Sequence, residues 1–301
     1  MSNKSNVFGR AYEYICIETL NNEKEELSKN NEINKFRNAV IEKSSTYEIA
    51  KNCWDIIDED SKETLVNSAL SATYSIFDLE PMITEQDDDY LVLKMQKDKE
   101  GEIGDVRDII IIRNAAKWEI GLSIKHNHFA VKHSRLSSKL DFGERWYGIN
   151  CSDNYWHDID PIFTYLNSEK EKGAKWSELK DKENDVYIPL LEAFINELKR
   201  VNKTCPDLPQ RLVEYLLGEF DFYKVISIDN KRVTQIETFN LRGTLNQPSK
   251  YKKPSIIIPI AKLPSRIVSL DFKPQSTNTV ELYLDEGWQF SFRIHNASTY
   301  V

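Results

Sequence analysis

Two apolar runs separated by a short polar link constrain this chain more than any other stretch. Ile109 to Ile112 is an unbroken isoleucine run, Trp118 to Ile124 is a second apolar stretch, and Asn114-Ala115-Ala116-Lys117 lies between them. The pattern predicts a β-hairpin. With Arg113 facing Trp118 across the link, Asp108 falls opposite Ser123 and one diagonal step from Lys125. Strand side chains alternate with period two, so Glu119, Gly121, Ser123 and Lys125 share a face with Asp108, while Ile120, Leu122 and Ile124 point to the other. An acid and a lysine thus converge at one end of the hairpin.

That pair suits the hydrolysis of a phosphodiester. A carboxylate can hold a divalent cation that polarises the phosphoryl oxygen and acidifies a bound water, and an ammonium can orient that water or stabilise the charge of the transition state. Magnesium takes oxygen ligands and keeps several waters, so one or two carboxylates plus a substrate phosphate are enough. A zinc site is not expected, because Cys16, Cys53, Cys151 and Cys205 lack the paired spacing of structural zinc and read as reduced thiols.

Acid, strand, turn and a strand ending in x-Lys is the pattern at the core of the PD-(D/E)xK nucleases. GDVRDIIIIR followed by WEIGLSIKHNHFAVKHSRLS resembles the HaeIII type of type II restriction endonucleases, sharpest from Gly121 to Ser137 and extending from Gly9-Arg10-Ala11-Tyr12-Glu13 to the C-terminal strands. The resemblance implies a magnesium-dependent enzyme that cuts double-stranded DNA at GGCC, paired in its host with a methyltransferase that protects the same site. Asp108, Lys125, Glu13 and Ser123 would form the catalytic group.

Ser123 is a departure from the superfamily pattern. It stands where the second acid is expected, giving Ser-Ile-Lys, and a hydroxyl replaces a carboxylate on magnesium poorly. The acids available to restore the charge are Glu13, Asp141, Glu144 and Glu119. Glu119 shares the face but stands four residues before Ser123, about 13 Å at strand rise. Glu13 is preferred, since superfamily members often bring a first-helix glutamate to the site, so Asp108 and Glu13 are the expected metal ligands. Asp105 competes with Asp108, but it has the opposite parity and would reach the same face only through a bulge; beside Gly104 it also suits a turn cap.

A formal net charge of −8 argues against a nucleic-acid partner until its distribution is considered. Residues 113 to 140 carry six Lys or Arg against Glu119 alone, and residues 231 to 266 carry eight against Glu237 alone. Basic stripes on an acidic body are the footprint of a protein that grips phosphates on one side, although lysines also keep edge strands soluble. His126, Asn127, His128, Lys132 and Arg135 are candidate DNA contacts, the last two on a helix expected from about His128 to Lys139. The contiguous His126-Asn127-His128 is not read as an HNH nuclease motif, and capping or packing is an equal alternative for its histidines. In the polar loop Arg242 to Gln247, Arg242 and Gln247 offer groups suited to base edges.

The first eighty residues read as helical, with Ala11, Tyr14, Ile15, Ile17 and Leu20 on one apolar face. A second helix is expected from a capping-box-like Asp60 to about Ile76, before Pro81. Tyr90 to Met95 reads as a strand pairing with the Asp108 strand, completing a catalytic meander. Helices fill 158–203 and 208–217. Strands follow at 222–228, 232–241, 255–260, 267–272, 280–284 and 288–294, the last two joined by Asp285-Glu286-Gly287. The expected architecture is α+β: a restriction-endonuclease-like core of mixed sheet flanked by helices over residues 1–218, and a C-terminal antiparallel β region over 219–301 that either braces the helical half or carries DNA recognition. No apolar run is long enough to span a membrane, and MSNKSNVFGRAYEY lacks the apolar core of a secretory leader, so a cytoplasmic protein is expected. A palindromic target suits a homodimer. A nuclease of the same fold serving repair, cutting ends or structures, and a DNA-binding protein that has lost catalysis at Ser123 are the competing readings.

Overall fold

The hairpin forms in the expected register. In the computed structural model, which describes residues 2–29, 39–85, 89–97, 105–128, 136–294 and 301, β3 (Ile109–Arg113) pairs antiparallel with β4 (Trp118–His126), with Arg113 opposite Trp118 and Ile109 opposite Leu122. The chain divides into two units, residues 1–132 with 217–261 and residues 133–216 with 262–301.

The first unit is built on a six-stranded mixed sheet, ordered β1 (Ala39–Glu42), β2 (Leu91–Met95), β3, β4, β5 (Phe222–Ile228) and β6 (Val233–Phe239). β2 is antiparallel to β3 as expected. β1 is parallel to β2, β5 is parallel to β4, and β6 returns antiparallel to β5. Helices α1 (Ser2–Lys29), α2 (Ser45–Ile56), α3 (Glu59–Leu79) and α4 (Pro81–Thr84) complete this unit. Ile109, Ile111, Ile120, Leu122, Ile124, Tyr223 and Val225 share a core with Ala11, Tyr12, Cys16, Ile17 and Leu20 of α1 and Leu65, Ala69 and Ile76 of α3. Each buried aliphatic side chain here contributes about 1.5–3 kcal/mol. The helix face that α1 buries therefore includes Tyr12 and Cys16, while Tyr14 and Ile15 are only half-buried.

In the second unit, α5 (Phe142–Tyr147), α6 (Asp153–Glu171), α7 (Ile188–Asn202) and α8 (Leu208–Leu217) accompany a three-stranded antiparallel sheet, β7 (Ile267–Phe272), β8 (Thr279–Leu284) and β9 (Gln289–Arg293). Phe142, Trp146, Phe194 and Phe292 cluster there, with Phe142 and Trp146 centroids 5.0 Å apart and Phe194 and Phe292 5.2 Å apart. Aromatic packing is thus the role of Trp146.

Several expectations are corrected. The strands after residue 219 divide between the two sheets and do not form one antiparallel region. All seven residues of β5 are buried, as a strand covered on both faces and paired in parallel requires. Residues 255–260 are not a strand. Pro254 precedes that run and Pro259 stands inside it, each lacking a ladder donor, so its isoleucines lie in irregular backbone. The second helix begins two residues earlier than expected, capped by Asp58, whose carboxylate accepts from the Ser61 N–H at 2.9 Å. The helix expected from His128 to Lys139 falls largely on 129–135, outside the described residues; its flanks, His128 and 136–140, are not helical. β1 interrupts the first eighty residues, which read as helical, because four residues with a mixed pattern carry too little signal to show as a strand.

Arg113 does not belong to a basic surface. It is buried, and its guanidinium donates to the carbonyls of Met82, Ile83 and Glu85, the last two at 3.1 and 2.9 Å, satisfying orphan groups at the end of α4.

A buried carboxyl ties three segments of this unit together. Glu80, at the end of α3, accepts from the Tyr223 hydroxyl and the Asn246 N–H, both at 2.6 Å, and burial pushes its pKa up to about 7. Between the ordinary carboxylate range and about pH 7 the folded chain holds a proton that the unfolded chain has released, so stability falls as pH rises through that window. Unfolding free energies at pH 5 and pH 8 should show the wild type losing up to about 3 kcal/mol more than Glu80→Gln over that interval. Identical pH dependence in the two proteins would contradict this role.

Candidate active site

Asp108 sits just before β3 and is held by backbone on both sides. Its N–H donates to Leu122 O at 2.8 Å, and its carbonyl accepts from Gln96 N at 2.9 Å. The ladder thereby continues one rung past the assigned strand and puts Asp108 beside Ser123. The carboxylate turns toward β4, where Oδ2 accepts from the Ile124 N–H at 2.6 Å, the Lys125 ammonium at 2.8 Å and the Ser123 hydroxyl at 3.4 Å. All three bonds fall on one oxygen. The side chains of Asp108 and Lys125 remain about one-fifth exposed, at 22% and 20%, so the pair opens to solvent and to a ligand.

Glu13 approaches from α1. It is buried and paired with Arg10 at 2.7 Å. Burial, and next the negative charge of Asp108, hold its carboxyl well above the usual carboxylate range, against the lowering influence of Arg10 and Lys125. Two carboxylates that repel in this way form an oxygen donor pair whose mutual repulsion a divalent cation would relieve. Among the described residues there is no group of three or more His, Cys, Asp or Glu side chains placed to hold a metal ion.

The competing acids are engaged elsewhere. Asp105 and Glu119 both bind the buried Arg107, each with a contact of 2.8 Å, and Asp105 also accepts from the Arg107 N–H. Asp141 caps α5, accepting from Glu144 N at 3.0 Å and from Cys151 N, and these bonds lower its pKa despite partial burial. Glu144 lies in the first turn of that helix.

Of the residues flanking Lys125, His126 stacks on Phe8 with centroids 5.3 Å apart, and its Nε2 lies 2.6 Å from Asp229. Asn127, in the left-handed region at φ 52°, donates to Asp229 Oδ2 at 3.0 Å and accepts from the Asp229 N–H at 3.0 Å. Both thus bind the turn after β5. His128 is exposed, and Lys132 and Arg135 lie outside the described residues. Arg242 is exposed on a loop well separated in sequence from Lys125. The Gln247 amide nitrogen donates within that loop to Gly243 O at 2.5 Å.

Sequence reasoning missed Lys224. It pairs in register with Ser123 and, buried, forms an ion pair with Glu237 at 3.0 Å. One lysine inside the apolar strand FYKVISI was the available signal, because an unpaired ammonium could not be buried there.

Gly121 is explained by Arg107. A Cβ on Gly121 would meet Arg107 Cδ at 1.9 Å and Cγ at 2.3 Å, so the glycine lets this side chain cross the strand to reach Glu119 and stack over Phe220 at 3.7 Å. Gly121→Ala is expected to cost about 3 kcal/mol in denaturant unfolding, and much less in an Arg107→Ala background. Equal penalties in both backgrounds would mean that Arg107 is not the obstacle.

Comparison with known proteins gives two findings. The family model described as HaeIII restriction endonuclease matches residues 9–301. The chain is 53% identical over 302 residues to a curated relative, "Type II restriction enzyme HaeIII" of Haemophilus aegyptius, covering 100% of this chain and 92% of that one. No solved structure matches.

Proposed function

The chain belongs to the HaeIII restriction endonuclease family, and on that premise we propose that it cuts both strands of duplex DNA at GGCC, with magnesium, through a group centred on Asp108 and Lys125. It is a type II restriction endonuclease, a site-specific deoxyribonuclease. The observation that carries the proposed site is the 2.8 Å pairing of Lys125 with Asp108 across adjacent strands, with Glu13 close enough for its ionisation to feel Asp108.

The arrangement reads as a PD-(D/E)xK core in which the second acid of the motif is Ser123. Asp108 and Glu13 would hold the cation. When bound, magnesium supplies polarisation of the scissile phosphate and a lowered pKa for an attached water. Lys125 lies where its ammonium can hold a water against the phosphate or stabilise the added negative charge, and the partial exposure of the pair leaves room for both. The Ile124 N–H and the Ser123 hydroxyl fix the orientation of Asp108 by bonding Oδ2, so Ser123 serves as a positioning residue here. Arg10 steadies Glu13 in its buried setting.

The resemblance to a restriction enzyme extends over the whole chain, which favours this reading over a repair nuclease that ignores sequence. An intact Asp108–Lys125 pair favours it over a binding protein without catalysis. A palindromic target fits two copies related by a two-fold axis, and a methyltransferase protecting the same site is the matching functional partner. Among the described residues no helix is long and apolar enough to cross a membrane; the cytoplasm, where host DNA and methyltransferase meet, is the proposed location.

The test is a digest of plasmid DNA with magnesium or with EDTA, on GGCC-methylated and unmethylated substrate. Discrete fragments mapping to GGCC, requiring magnesium and absent on methylated DNA, are expected. Lys125→Ala and Glu13→Gln should each lower the rate by about 10²–10³ while duplex binding persists. Smearing would support the repair reading. Unchanged cutting by Glu13→Gln would remove that residue from the metal site.

A further inference from the structure

Between Thr238 and Ala261 the chain carries no acid and four cations, Arg242, Lys250, Lys252 and Lys253, in a protein of net charge −8. The same stretch exposes four large apolar side chains: Ile257 is 87% exposed, Tyr251 71%, Ile260 59% and Ile256 57%. Exposed isoleucines so close together in sequence are costly in water unless something covers them in use.

This stretch is an arm pinned onto the loop that follows β6. Asn240 donates its side-chain N–H to the carbonyls of Ile258 and Pro259 at 3.2 and 3.3 Å, and its own carbonyl accepts from Ala261 N at 2.8 Å. Asn246 Oδ1 accepts from Ile258 N at 3.0 Å, while Ile258 turns inward against the core. The loop beneath is wrapped around the buried carboxylate of Asp221, which accepts from Leu241 N, Arg242 N and Thr244 N at 2.7, 3.0 and 2.9 Å. A side chain at Gly243 would strike Ile260 at 2.8 Å, so the glycine allows the arm to lie flat on this loop. Ile258 is the anchor, Ile260 lies over Gly243, and Ile256 and Ile257 form the outward ridge.

We propose that this arm is a DNA-contacting element, with Arg242, Lys252 and Lys253 on phosphates and the ridge of Ile256 and Ile257 packed against sugars and base edges in a groove. The inference rests on the nuclease reading above. Charge decides the occupant: a stretch with four cations and no acid complements a polyanion, and apolar wedges flanked by lysines are a known way of widening or kinking a duplex. The reach is suitable. Asn240 lies three residues along β6 from Glu237, which is two strands across from Ser123 through Lys224. At strand rise and spacing this puts the foot of the arm about 14 Å from Ser123, within the span of a short duplex site. A pinned arm also gives up little conformational freedom on binding, so its contacts are retained as affinity.

The test measures binding of a GGCC duplex in calcium, separately from cleavage, at several salt concentrations. Ile256→Ser/Ile257→Ser alters only exposed side chains. It should weaken binding at least about tenfold with an unchanged salt slope. Lys252→Ala/Lys253→Ala should flatten the slope by about two, close to 0.9 for each phosphate no longer neutralised. Wild-type affinity in the isoleucine variant, or an unchanged slope in the lysine variant, overturns the proposal. So does loss of a dimer by the isoleucine variant in DNA-free ultracentrifugation, which would assign the ridge to a second copy of the chain. If the wild type binds the duplex but fails to cut it, the nuclease reading falls, while the binding comparisons still decide the role of the arm.

Discussion

The candidate site depends on one backbone rung. Asp108 is not inside a strand by its own side-chain pattern, yet its N–H bonds Leu122 and its carbonyl accepts from Gln96, so it is gripped from both neighbouring strands. A slip of one residue in the β3–β4 register would turn Asp108 to the other face and separate it from Lys125. The register is secured from the far end. There Arg113, opposite Trp118, is locked by three carbonyls at the end of α4, so the residue that fixes the hairpin is bonded to a separate helix.

The same sheet holds a polar line that crosses its strands in register. Asp108, Ser123, Lys224 and Glu237 occupy successive positions from β3 to β6, and each is paired with a neighbour. On the other face, isoleucine, leucine and tyrosine pack against α1 and α3. The two faces of the sheet thus differ in what they carry, apolar packing on one and the line of ion pairs on the other. Beyond the end of β6, Asp221, Asn240, Asn246 and Glu80 form a second buried polar set that supports an exposed cationic arm.

Much of this was legible from the residues. The hairpin register, the Asp108–Lys125 convergence, the pairing of the Leu91 strand and the ends of several later elements follow from alternation and turn residues, which are local. What was not legible is non-local. Nothing in FYKVISI says that it inserts parallel to β4, because parallel partners are chosen by tertiary packing. Arg113 counted as a surface cation in the sequence, and only the fold reveals that it caps a helix. The run from Ser255 to Ile260 looked like a strand by hydropathy, and Pro259 within it and Pro254 before it outweighed that signal. At the site, the preference for Glu13 rested on the resemblance, because nothing in the spacing says which helix comes near Asp108.

The central claim is that Asp108 is the carboxylate around which the reaction is organised. Its most direct test is single-turnover cleavage of a GGCC duplex by Asp108→Asn, beside a measurement of duplex affinity and of folding. The variant should fold, bind the duplex within a few-fold of the wild type and cut it about 10³-fold more slowly. Cutting at the wild-type rate would show that the reacting group lies elsewhere in the molecule.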